Sequence, residues 1–210
     1  MNEVKQFDEI RVSEAMVELQ LKDAKTDQAQ IQIHRLSQNI QNSSLQLKQK
    51  FDIKGSEQPI SGCLVLPDDR IIIADYYGSE KLMEDNINGK HIRDIPTSNA
   101  PFSLTAIDTD RIAVTYTDKE YLEIINTTGN SERKRMNCSS GCSGMSYQDQ
   151  KLYVVVLQQG IVVMDLNGKT LNTIDVFSVI NTTTASDRIY CTDIINNTVH
   201  CCRPRNLGIK

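Results

Sequence analysis

Tryptophan is absent from this 210-residue sequence, histidine occurs three times, proline five times, and aromatic residues make up only 5%. With 39% hydrophobic residues a core can still form, but it must be aliphatic and modest in size. No apolar run approaches the roughly 18–20 residues that cross a bilayer. The start, Met1-Asn2-Glu3-Val4-Lys5, does not pair a basic segment with an apolar one, so neither a membrane helix nor a signal peptide is expected. That reading places the chain in the cytoplasm and its six cysteines among reduced thiols. The Asn-x-Ser/Thr triplets at Asn42, Asn126, Asn137, Asn181 and Asn196 are then Asn-rich turns rather than glycan acceptors.

A basic excess is also missing. Lysine and arginine number 23 against 27 acids, for a net charge of −4. Residues 1–50 hold seven of each sign, so the rest carries sixteen basic and twenty acidic side chains. Proteins that neutralise phosphates need a cationic face, and these totals disfavour one, leaving only a local patch open. The single basic run is Arg133-Lys134-Arg135. Alternation sends its outer two side chains one way and the middle one the other. It reads as a charged sheet edge of the kind that blocks sheet-to-sheet pairing, or as a contact for RNA or an acidic partner.

Chemistry-bearing constellations are equally sparse. No cysteine precedes Cys63, so no paired zinc ligands occur before it. Cys138 and Cys142 are four apart, with His200-Cys201-Cys202 downstream, but structural zinc sites usually show two knuckles at fixed spacing. Buried or edge thiols are expected instead. His34, His91 and His200 have no Gly-x-Ser-x-Gly elbow and no cysteine with an orienting partner. Asp75 and Asp193 occupy equivalent strand ends, which suits acids that cap loops; paired carboxylates around a channel are the alternative. No catalytic residue, cofactor or metal is assigned, and the chain is not expected to be an enzyme.

What is present falls into two parts. Residues 1–43 contain no glycine or proline and carry Phe7, Ile10, Val17, Leu21 and Ala24, then Ala29, Ile33, Leu36 and Ile40, at helical spacing. The spacing predicts one or two amphipathic helices with coiled-coil character, ended by Asn42-Ser43-Ser44. Such an arm either joins copies of the chain or packs on its own domain. From Leu45 the period becomes two: Leu45, Leu47, Phe51 and Ile53 alternate with polar neighbours, which predicts a strand over 45–53.

The remainder repeats. Asp69-Arg70-Ile71, Asp110-Arg111-Ile112, Gln150-Lys151-Leu152 and Asp187-Arg188-Ile189 recur at steps of 41, 40 and 37 residues. Each opens a β-branched run, and a second apolar run follows about ten residues later. Turns at Asn88-Gly89, Thr128-Gly129 and Asn167-Gly168 come next. Four strands in about forty residues is the period of a propeller blade. Blades are expected at about 60–100, 101–141, 142–179 and 180–202, the fourth stopping after its third strand. The strand at 45–53 has no blade of its own and suits the closing strand of a ring.

The helical arm, Leu47-Lys48-Gln49-Lys50-Phe51-Asp52-Ile53, Ile71-Ile72-Ile73-Ala74-Asp75-Tyr76 and Arg188-Ile189-Tyr190-Cys191-Thr192-Asp193 together resemble tripartite-motif-like proteins with a C-terminal NHL-type propeller. The stretch Ile107-Asp108-Thr109-Asp110-Arg111-Ile112-Ala113-Val114-Thr115-Tyr116 is similar to the expanded sets in bivalve molluscs. The resemblance spans nearly all of residues 10–202. It implies a mainly β fold: about three and a half of some six blades of an NHL/TolB-like propeller over 44–210, behind a coiled-coil arm over 1–43. In the intact family a RING finger ligates ubiquitin and the propeller selects partners. Here neither RING nor B-box pattern is present. The expectation is a non-catalytic protein-interaction module, oligomeric through its helix; the alternative is an RNA-binding propeller acting in post-transcriptional regulation.

Overall fold

The computed structural model describes residues 60–202, apart from 79, 129–131, 186–187 and 194, together with residues 50 and 53. The expected helical arm at 1–43, most of the expected strand at 45–53 and the tail 203–210 lie outside the described residues.

Fifteen strands are described, and they fall into four antiparallel sheets, each a meander in chain order. The first sheet holds β1 (Gly62–Val65), β2 (Arg70–Asp75), β3 (Lys81–Asn86) and β4 (His91–Ile95). The second holds β5 (Ser103–Ala106), β6 (Arg111–Thr115), β7 (Tyr121–Asn126) and β8 (Arg133–Asn137). In the third are β9 (Cys142–Gln148), β10 (Lys151–Val156), β11 (Gly160–Asp165) and β12 (Thr170–Ile174). The fourth has three described strands, β13 (Val179–Ala185), β14 (Arg188–Asp193) and β15 (Thr198–Cys202).

Turn chemistry explains why the meanders form where they do. At the β3–β4, β7–β8 and β11–β12 corners an Asx side chain holds the turn. Asn86 Oδ1 accepts from the amides of Asn88 and Lys90, Asn126 Oδ1 from Thr128, and Asp165 Oδ1 from Asn167 and Lys169, all at 2.8–3.0 Å. Gly89 and Gly168 supply the positive φ, 73° and 87°, that these corners require. The β9–β10 corner has no glycine; Asp149 and Gln150 both sit at positive φ, 51° and 58°.

Consecutive sheets stack face to face. Their first strands run side by side, β1 by β5, β5 by β9 and β9 by β13, which makes these the inner strands of a propeller-like arrangement. Between sheets one and two lie Ile72, Ala74, Leu82 and Ile95 against Ile112, Val114, Tyr116 and Ile125. Between two and three lie Ala113, Leu122, Ile124 and Met136 against Met145, Leu152, Val154 and Met164. Tyr153, Val155, Ile161 and Val163 meet Val179, Ile189 and Cys191 in the last seam. In sheets one to three the central strands therefore bury both faces, and Leu152–Val156 is apolar without alternation. On the far side of sheet one, Ile53 and Ile60 pack on Ile71, Ile73 and Met83.

The inner strands approach so closely that one position admits only glycine. A Cβ on Gly144 would lie 2.4 Å from Asn181 Cα and 2.5 Å from Ile180 O. Both atoms are backbone of β13, so neither can swing aside. Gly144→Val is expected to destabilise the chain by about 1–3 kcal/mol, read as a lower urea midpoint. An unchanged midpoint would show that sheets three and four are not packed this tightly.

Candidate functional site

The seam between sheets one and two carries two buried glutamates. Glu84 on β3 and Glu123 on β7 are buried among the aliphatic side chains of this interface. An ionised carboxylate out of water needs cations or several hydrogen bonds, and each has them. Arg93 Nε donates to Glu84 at 3.0 Å, and Arg70 lies 3.6 Å from the same carboxylate. These two arginines then reach across the seam: Arg70 donates to Thr127 Oγ1 at 3.2 Å and Thr109 O at 2.8 Å, and Arg93 donates to Thr127 O.

Glu123 is the better satisfied of the two acids. Tyr116 donates its hydroxyl at 2.7 Å, Ser98 at 2.9 Å and Arg135 at 3.1 Å, while Arg133 stands 3.9 Å away. Burial by itself would raise this carboxyl, but the bonds from Tyr116, Ser98 and Arg135 outweigh it and hold the pKa below the ordinary glutamate value of 4.5. Tyr116 is pushed well above the usual phenol range, first by burial and then by its bond to Glu123.

All three residues of the basic run lie on β8, the outer strand of sheet two, which pairs with β7 alone. Arg133 and Arg135 point toward sheet one. Arg133 donates to Ser98 Oγ at 3.2 Å and to Pro96 O, and Arg135 stacks over the Tyr121 ring, 3.9 Å from its centroid. Lys134 points the other way and donates to Leu166 O at 2.9 Å and Asn167 Oδ1 at 3.0 Å on sheet three. Arg133 and Arg135 thus share the Glu123 carboxylate. Lys134 has only neutral acceptors, and the Arg135 side chain remains 52% exposed. The corresponding outer strands are different: β4 mixes His91, Arg93 and Asp94, and β12, Thr170–Ile174, carries no charge.

The other chemistry-bearing residues are dispersed. Asp75 Oδ1 accepts from the Gly78 amide at 3.0 Å. Asp193 accepts from Ile195 and Asn196, and the Asn196 amide and side chain lead in pulling its pKa down to about 2. Both acids hold the loop after their strand. His91 bonds Asp85, His200 lies 3.4 Å from Asp193, and His34 is outside the described residues. Among the described residues no three His, Cys, Asp or Glu side chains gather as metal ligands. Glu84 and Glu123, the acids that organise the seam, were not singled out from sequence. Their signal was a carboxylate inside an apolar run, as in Leu122-Glu123-Ile124-Ile125.

Because folding lowers the Glu123 pKa, its contribution is complete above 4.5 and is lost as pH falls through the lower folded value. Glu123→Gln is therefore expected to cost about 1–3 kcal/mol at neutral pH and to flatten the loss of stability below pH 4.5. Denaturation midpoints of both proteins against pH check this. Parallel profiles would remove Glu123 from the account.

No protein-family model matches the sequence, and no curated protein matches it. Among solved structures the chain is similar to U3-55K, with 13% identity and a TM-score of 0.56, covering 71% of this chain and 53% of that one. It is also similar to a streptogramin B lyase, with 15% identity and a TM-score of 0.58, covering 71% and 52%. The computationally designed Ika4 protein is similar at 13% identity and a TM-score of 0.55, covering 75% of this chain and 99% of that one. The chain spans about half the length of the first two. At these identities the likeness establishes architecture alone: the chain has a mainly β, four-blade, propeller-like fold.

Proposed function

We propose that this chain is a non-catalytic protein-interaction module that takes an extended acidic segment of its partner along the outer edge of β8. The observation that carries the reading is the charge of that edge. Three consecutive cations lie on this one outer strand, Lys134 and Arg135 exposed on its two faces and only Arg133 and Arg135 paired with a carboxylate, while the outer strands of sheets one and three lack such an excess. An edge strand presents unpaired backbone donors and acceptors, so an added strand supplies main-chain bonds. Cations on both sides of the pleat then select acidic side chains, through charge-assisted bonds that favour encounter as well as register.

The resemblance to tripartite-motif-like proteins supports a place in ubiquitin ligation, with the propeller choosing the partner and the arm at 1–43 joining copies in the cytoplasm. RNA is the weaker ligand, since the region beyond residue 50 is net acidic, sixteen basic against twenty acidic side chains.

A fluorescein-labelled peptide of alternating glutamate and valine is the probe. It is expected to bind the full chain and to weaken with added salt. Lys134→Glu with Arg135→Glu should lower affinity about tenfold or more, since reversal turns attraction into repulsion. Equal binding of a serine–valine peptide, or tighter binding of a single-stranded RNA oligomer to the same edge, would overturn the reading.

A further inference from the structure

Cys138-Ser139-Ser140-Gly141-Cys142 carries the chain from β8 to β9, from the outside of sheet two to the inside of sheet three. Its two ends are pinned to neighbouring carbonyls. The Cys138 amide donates to Glu120 O at 2.8 Å and the Cys142 amide to Lys119 O at 3.3 Å. Consecutive residues are only about 3.8 Å apart, so the link doubles back and returns both cysteines to one place. Gly141 permits this, because a Cβ there would lie 2.4 Å from Thr117 O.

Both side chains enter one buried cluster, Cys142 as a member and Cys138 packed against it. Cys142 is fully buried in the cluster between sheets two and three, and its sulfur also lies 3.6 Å from Ser140 O. Cys138 is half-buried and borders a cleft of about 130 Å³ that it shares with Ser139, Gln159 and Thr173. Cys138 is therefore the more accessible residue of the two and Cys142 the sealed one. The bond from Cys142 holds the Cys138 thiol below the ordinary range, with burial acting against it, while Cys142 is pushed up by the same bond and by burial. The thiolate is the nucleophilic form.

We propose that Cys138 is a hydroperoxide-reactive thiol and Cys142 its resolving partner, together forming a reversible disulfide across the crossover between sheets two and three. The Cys138 thiolate attacks a peroxide oxygen and the O–O bond breaks. Hydroxide leaves, taking up a proton as water, and Cys138 becomes a sulfenic acid. Cys142 sulfur then attacks that sulfur, and its thiol proton leaves with the displaced hydroxide as a second water. Two thiols are oxidised, one hydrogen peroxide is reduced to two waters, and a dithiol reductant restores the pair.

Exposure alone orders the cysteines differently, since Cys63 and Cys201 are the exposed thiols. A second cysteine pair, Cys191 and Cys202 on β14 and β15, provides a comparison in which burial leads in pushing the Cys191 thiol up to about 11.

The test treats the full chain with hydrogen peroxide at increasing ratios, blocks remaining thiols and maps peptides by mass spectrometry. The peptide holding Cys138 and Cys142 is expected to change first, with a loss of about 2 Da that dithiothreitol reverses. In Cys142→Ser, Cys138 should stop at the sulfenic acid and be captured by dimedone. Should that variant fail to fold, the order of oxidation in the wild-type chain decides by itself. Oxidation of Cys63, Cys201 or the Cys191–Cys202 pair ahead of Cys138, or no link between Cys138 and Cys142, overturns the proposal.

Discussion

The sheets have strands of four to seven residues, and the central strands of the first three are apolar on both sides, so none of these can bury its core alone. A single sheet of this size would leave half of its aliphatic side chains in water, and burying one such side chain stabilises by about 1.5–3 kcal/mol. Stacking sheet on sheet around the inner strands resolves this, and most of the molecule follows from it. Val154 faces sheet two while Val155 faces sheet four, so the two seams of sheet three form together. The crowding at Gly144 and the crossover at Cys138–Cys142 are consequences of the same close approach.

Seams need not be chemically alike, and the first is not. Glu84 and Glu123 bring ionised oxygen into an aliphatic interface, where the cost of removing it from water is met by arginines, a tyrosine and a serine. Those arginines bond backbone on the opposite sheet or on the connection, so the network fixes how sheets one and two sit against each other. Arg135 belongs partly to that network and partly to solvent. The same residue that satisfies a buried acid thus presents cationic surface on the outer strand, and fold and recognition surface share it.

Much of the architecture was legible in the chain. The Asp-Arg and Asn-Gly corners recur because hairpin turns need particular backbone angles, which few residue types supply. Asn86, Asn126 and Asp165 add a side-chain clamp at repeat spacing. Strand positions could be read because β-branched runs separated by such turns have few other solutions. The alternation of Arg133, Lys134 and Arg135 also follows from local geometry, since side chains on a strand point to opposite faces in turn.

Partners across a seam were not legible, because contacts between sheets join residues about forty apart whose pairing depends on the stacking itself. Nothing around Glu123 in sequence identifies Ser98 or Tyr116 as its donors. Nothing near Cys138 and Cys142 shows that their amides return to Lys119 and Glu120, or that one thiol borders a cleft while the other is sealed. Sequence alone determined the repeat, the turns and the face of each side chain, since these are set by backbone preferences within a few residues. Only the tertiary structure decided which charges are buried, which cations remain exposed and which thiols meet. Burial and pairing depend on what the neighbouring sheet brings.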